Sequence, residues 1–152
     1  MSDHAPLRTP AEAQALAERV AREMLDRDPA SRKLGMHIGK VAPGRAEVTM
    51  EVRADMLNGH GIVHGGMVFA LADTAFAYVC NGRNEKTVAA QASIVFLGSA
   101  EKGETLVAEA DEAAVAGRSG VTRVAVRTLA GRPIAEFTGY SRALGGPVIE
   151  NC

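Results

Sequence analysis

Residues 65 to 80, GGMVFALADTAFAYVC, carry small or apolar side chains at almost every position and one charge, Asp73. A helix that is apolar all round has no face for water, so it must be enclosed by the rest of the protein. The stretch is too short to cross a bilayer and contains a carboxylate, which argues against a membrane span. The chain therefore has to supply a wall around this segment, and Asp73 has to lie in or near a buried place.

The wall is legible in the remaining periodicity. Ala46, Val48, Met50 and Val52 alternate with Glu47, Thr49, Glu51 and Arg53, the pattern of a half-buried strand. Pro43-Gly44 before it is a turn signal, which makes Met36 to Ala42 its hairpin partner. After Lys86 the period of two returns in four runs: Val88 to Phe96, Leu106 to Ala110, Val121 to Leu129 and Ile134 to Leu144. Turn-forming clusters at Gly98-Ser99, residues 116–120 and residues 130–133 separate them, and short turns imply antiparallel pairing.

Ahead of the hairpin, Thr9-Pro10-Ala11-Glu12 forms a capping box that starts a helix at Pro10, expected to run to about residue 27. Ala13, Leu16, Ala17, Val20 and Met24 give it one apolar stripe, and Asp28-Pro29 ends it. One further helical turn is expected around Ala30 to Lys33. The tail after residue 145 is expected to be loose. The sum is an α+β domain spanning residues 1–152: a curved antiparallel sheet wrapped around a central helix at about 65–80, with an N-terminal helix beside it.

Composition narrows the function. A net charge of −1 and a pI near 6.4 give no electrostatic footprint for nucleic acid. The first ten residues, MSDHAPLRTP, lack the apolar core of a signal peptide. Cys80 and Cys152 form neither a disulfide framework nor a zinc pattern, which suits a reducing cytoplasm.

His64-Gly65-Gly66 opens the central helix. The first N–H groups of a helix lack intrahelical partners, and glycine lets an outside oxygen approach them closely. A carbonyl placed on Gly65 N–H would be polarised. The alternative is that both glycines serve only a tight turn against the sheet. Asp73 is similarly open between a structural carboxylate that bonds a neighbouring strand or subunit and a catalytic one in a cleft. Gly65 and Asp73 are eight residues apart, roughly 12 Å of helix rise, too far to act on one carbonyl within a chain. If both are catalytic, two antiparallel copies of the helix across a two-fold axis must share two equivalent sites.

Asn58-Gly59-His60-Gly61-Ile62-Val63-His64-Gly65-Gly66, with Phe69-Ala70-Leu71-Ala72-Asp73-Thr74-Ala75-Phe76-Ala77 and Cys80-Asn81, resembles the hotdog-fold acyl-CoA thioesterases, in particular their phenylacetic-acid-degradation (PaaI-type) branch. The likeness runs from Met36 to Leu144, and the N-terminal helix fits it. It implies hydrolysis of an acyl-CoA thioester, phenylacetyl-CoA or a hydroxylated phenylacetyl-CoA, to free acid and CoA without metal or organic cofactor. Asp73 matches the general base or nucleophile, Gly65 the N–H that polarises the carbonyl, and Asn58 a residue positioning thioester or water, with His64 beside the donor. Gly66, Phe69 and Phe76 are candidate substrate-lining positions, the two aromatics open between an acyl tunnel and plain core, and Arg118-Ser119 resembles a family position near the nucleotide, the alternative being a hairpin turn with a solvated Arg. Some relatives hold the water with a Ser or Thr where this chain has Ala89, two residues after Thr87. The resemblance further implies a homo-oligomer, a dimer with shared sites assembled as a dimer of dimers.

Other chemistries find less in the sequence. A hotdog hydratase or dehydratase would cast His64 and Asp73 on either side of an enoyl group. His60 and His64 have metal-ligand spacing but lie among glycines without a third ligand. Cys80 has no nearby histidine in sequence to form a thiolate, and no GxSxG elbow exists for a serine nucleophile. A non-catalytic acyl-CoA-binding module is the remaining alternative.

Overall fold

The computed structural model describes residues 8–150; the expectations for the extreme N-terminus and for Cys152 concern residues outside that range. Helix α1, Pro10–Asp26, begins at the capping box, with Thr9 Oγ1 accepting from Glu12 N and Glu12 accepting from Thr9 N. Asp28 then caps the short helix α2, Pro29–Lys33. Strands β1, His37–Ala42, and β2, Arg45–Glu51, form the expected hairpin, its turn closed by Gly44 at φ +76°, a conformation that favours glycine. Helix α3 is Gly65–Asn81, followed by β3, Thr87–Phe96, β4, Thr105–Ala116, β5, Ser119–Thr128, and β6, Pro133–Ala143.

The six strands make one antiparallel sheet in the order β1-β2-β4-β5-β6-β3. Its curved inner face carries Val48, Met50, Leu106, Ala108, Val124, Val126 and Phe137, all buried against α3. This is the hotdog arrangement expected from the sequence. The link from β3 to β4 is not a hairpin, however. Leu97 N and Gly98 N both donate to Ile134 O, which fastens the end of β3 to β6, and residues 97–104 then cross to the middle of the sheet. β3 is left as an edge strand, with Val88, Val95 and Phe96 exposed.

Two expectations are corrected. The central helix is not enclosed on every side by its own chain. Val68, Leu71, Ala72, Ala75, Phe76 and Val79 are buried, whereas Gly66, Ala70, Asp73, Ala77 and Cys80 remain partly exposed. Their spacing of three and four residues is that of a single stripe along the helix. The tail is not loose as far as Glu150. Asn84, held at φ +61°, accepts from Val148 N and Ile149 N through Oδ1 and donates to Ile149 O. Ile149 is 1% exposed, packed against Leu16 and Val20 of α1. A buried isoleucine and three hydrogen bonds outweigh the glycine-rich run that suggested freedom.

Candidate active site

The start of α3 is built by His64. Its imidazole Nδ1 accepts the Gly66 N–H at 2.9 Å, making His64 the N-cap. The proton of the neutral ring therefore sits on Nε2. Met67 N and Val68 N turn back to His64 O, so Gly65 N–H is the first-turn donor left without a partner among the described residues. The macrodipole adds partial positive charge at this point. Gly65 is half-exposed, and the Phe96 ring at the end of β3 lies against it.

The loop before α3 is organised by Asn58. Its Oδ1 accepts from His60 N at 2.9 Å and from Ile62 N at 3.4 Å, while its backbone N donates to Ile62 O. The carbonyl end of the amide thus shapes the loop. The Nδ2 end keeps two donors with no partner among the described residues. Val63 N donates to Ala100 O and His64 N to Met56 O, which pins the loop to the β3–β4 link and to the turn after β2 and delivers His64 to the helix start.

Asp73 lies two turns further along α3, on the partly exposed stripe. It lines a cavity of about 350 Å³ with Met24, Arg27, Asp28, Thr74, Ala77, Tyr78, Val148 and Ile149. Burial pushes its carboxyl above the usual aspartate range, and the charge of Asp28 pushes the same way. A carboxylate with raised proton affinity is a better base near neutral pH. Tyr78 is 2% exposed, and its hydroxyl is buried without a hydrogen-bond partner. Burial and Asp28 hold that phenol in its protonated form. Asp28, Tyr78 and the tail residues were not among the sequence candidates. Asp28-Pro29 reads in the sequence only as the end of the first helix, whereas Asp28 also caps α2.

The other candidates separate. Phe69 packs edge-on against Phe137 with centroids 5.3 Å apart and stays half-exposed beside the α3 stripe. Phe76 is 1% exposed, facing Phe137 and the bare α-carbon of Gly139, and takes the packing role instead of lining open space in this chain. Arg118 donates through Nε to Ala143 O, leaving its terminal nitrogens without partners among the described residues. Ser119 Oγ accepts from Arg142. Both line a separate cavity with Cys80, Arg83 and Thr87. Thr87 Oγ1 is committed to Glu85 O, and Ala89 is exposed on β3, opposite Ser141 of β6. Burial raises the Cys80 thiol to about 12, which removes it as a nucleophile. Among the described residues no three His, Cys, Asp or Glu side chains cluster as metal ligands, and no helix is long and apolar enough to cross a membrane.

Known proteins share this fold. The thioesterase superfamily model matches residues 60–135, from the glycine-rich loop through α3 to the start of β6. The chain is 39% identical over 128 residues to the acyl-coenzyme A thioesterase PaaI of Escherichia coli, covering 84% of this chain and 91% of that one. The structure of the E. coli PaaI protein from the phenylacetic acid degradation operon superposes with a TM-score of 0.87 at 38% identity, over 89% of this chain and 98% of that one. A Streptococcus mutans protein crystallised with acetyl-CoA matches with a TM-score of 0.71 at 27% identity, over 74% and 90%. With its sheet and these relatives in agreement, the chain belongs to the thioesterase superfamily as a hotdog-fold thioester hydrolase.

Proposed function

We propose that the protein hydrolyses an acyl-CoA thioester, phenylacetyl-CoA or a ring-hydroxylated phenylacetyl-CoA, at sites shared between two copies of the chain. One observation carries the reading: the free Gly65 N–H and the half-buried Asp73 share α3 about 12 Å apart, with the stripe between them uncovered by its own chain. A second α3 running antiparallel along that stripe brings Gly65 of one chain to Asp73 of the other. The exposed edge strand β3 supports the same pairing, since ten residues of unpaired edge with apolar side chains favour another strand. Two such dimers, packed together, make the tetramer.

In this arrangement the thioester oxygen rests on Gly65 N–H, and Asn58 Nδ2 steadies the thioester or the attacking water. Asp73 takes a proton from water as the new C–O bond forms, charge collects on the oxygen at Gly65, and its collapse breaks the C–S bond. The CoA thiolate leaves and recovers the proton from Asp73. Asp73 attacking the carbonyl carbon itself, with water then opening the mixed anhydride, gives the same products. Arg118, its terminal guanidinium nitrogens without partners among the described residues, lines the same cavity as Ser119 and suits the phosphates of CoA. The compartment proposed is the cytoplasm, where CoA thioesters and free thiols coexist.

Free-thiol release from a panel of arylacetyl-, aryl- and straight-chain acyl-CoAs tests the reading, with Asp73→Asn as control. Thiol release from arylacetyl-CoA that is lost in Asp73→Asn supports it; activity untouched by Asp73→Asn overturns it. Consumption of crotonyl-CoA without thiol release would instead indicate a hydratase. Single-turnover hydrolysis in ¹⁸O water separates the two routes, labelling the product acid if Asp73 is the base and the Asp73 carboxylate if it is the nucleophile.

A further inference from the structure

Asp28 stands at the junction between α1 and α2, outside the segment matched by the superfamily model. Its Oδ1 accepts from Ser31 N at 3.0 Å and its Oδ2 from Ser31 Oγ at 2.6 Å. Ser31 is buried, and its Oγ lies 3.1 Å from Thr74 Oγ1, on the residue next to Asp73. Thr74 Oγ1 is also within 2.9 Å of Ala70 O. A carboxylate and a carbonyl have no proton to give, so Ser31 donates to Asp28 and Thr74 spends its one hydroxyl proton on Ala70 O. Ser31, bonded through both its N–H and its hydroxyl, thus fixes the Asp28 carboxylate at the start of α2.

That charge faces the cavity Asp73 lines. The groups around Asp73 come from every element packed there. α2 brings Asp28, α3 brings Tyr78 and Cys80, α1 leads to Arg27, and the tail adds Val148 and Ile149. Arg27 offers the only positive charge among the residues lining the cavity, but its guanidinium is drawn to Glu23 at 2.9 Å and to Val148 O at 3.5 Å. Tyr78 cannot supply a counter-charge.

We propose that Asp28 is a second acidic residue of the site, a positioning residue that acts on Asp73 through its charge across the cavity both line. Two carboxylates in one cavity resist simultaneous ionisation, so Asp28 helps Asp73 hold a proton that Asp73 must accept and return during turnover. The raised proton affinity of Asp73 agrees with this. The N-terminal helices thus tune the base as well as pack against the sheet. The catalytic part of the inference rests on the function proposed above; the electrostatic part does not.

Asp28→Asn is the informative variant, because Asn caps a helix as well as Asp while removing the charge. Asp28→Ser, a second uncharged cap, guards against an effect peculiar to the amide. In full-length protein carrying ¹³C-carboxyl aspartate, with Asp73→Asn to assign the resonance, the Asp73 titration midpoint is expected to fall in both Asp28 variants. The acid limb of kcat/KM for thioester hydrolysis should move to lower pH in step, with KM little changed. An unchanged Asp73 midpoint in the folded variants overturns the proposal, as does loss of the fold in both, which would show that the Asp28 charge serves the fold and not Asp73. Absence of thiol release from wild-type protein would sink the thioesterase reading, while the carboxyl titration would still decide the role of Asp28.

Discussion

The ring of Phe96 covers the α-carbon of Gly65: a β-carbon added there would stand 2.9 Å from Phe96 Cζ. The end of β3 thereby shields one side of the helix start from water, and a hydrogen bond made by Gly65 N–H gains strength from that apolar neighbour.

Two glycine substitutions should behave differently. In Gly65→Ala the obstructing atom is the tip of a side chain that is 53% exposed, so the ring can swing away. Stability should change by no more than about 0.5 kcal/mol, while kcat/KM falls because the donor is no longer open. In Gly139→Ala the new methyl meets Phe76 at 2.6 Å, and Phe76 is fixed in the core. Overpacking of this kind should cost about 1–3 kcal/mol. Urea denaturation of both variants at one protein concentration, beside thiol-release kinetics, checks the contrast.

His64→Ala removes the cap on Gly66 N–H and should lower stability by about 1 kcal/mol. The freed Gly66 donor then competes with Gly65 for the thioester oxygen, so kcat/KM should fall. His64→Asn restores a capping side chain and should recover most of the stability. If the two variants denature alike, the imidazole does not cap α3.

The raised carboxyl of Asp73 fixes the sign of a pH effect. Its native form binds protons more readily than its unfolded form, so its ionisation weakens the fold at neutral pH and that loss is relieved as pH falls. Asp73→Asn should therefore melt at a higher temperature than wild type at pH 7. The gap should close as pH drops from the raised native midpoint to below the ordinary unfolded value of about 3.9. Calorimetric scans from pH 7 to pH 3.5 check this; a variant less stable at pH 7 would show that Asp73 is a structural anchor.

Cys80, its thiol pushed up to about 12 chiefly by burial, should resist alkylation in native protein at pH 8. In a Cys152→Ser background, iodoacetamide should leave the folded protein unmodified and label Cys80 after denaturation, read by intact mass. Catalysis should survive the treatment.

The parts of this protein that were legible beforehand rest on short-range chemistry. The Thr9-Glu12 box placed the start of α1 because both capping bonds span three residues. Period-two runs placed the strands because side chains alternate across any sheet. Asp73 and Gly65 stood out as a charge in an apolar helix and a bare helix start, both properties of neighbouring residues.

What joins remote segments was not legible. No pattern in Thr87 to Phe96 says that β3 lies beside β6 at the sheet edge, since alternation fixes a strand's faces and leaves its neighbours open. The tail looked free because Gly145-Gly146 is local, while Asn84, which ties it down, lies more than sixty residues earlier. Asp28 read only as part of the stop signal of the first helix; the structure makes it the cap of α2, and the packing of α2 on α3 sets its carboxylate in the cavity of Asp73. By itself, then, the sequence determined which main elements form and which residues stand out as candidates, because those depend on backbone preference and side-chain type. The tertiary structure alone decided that α3 keeps a stripe uncovered and that two carboxylates share one cavity, because burial and charge act through space between segments the chain order keeps apart.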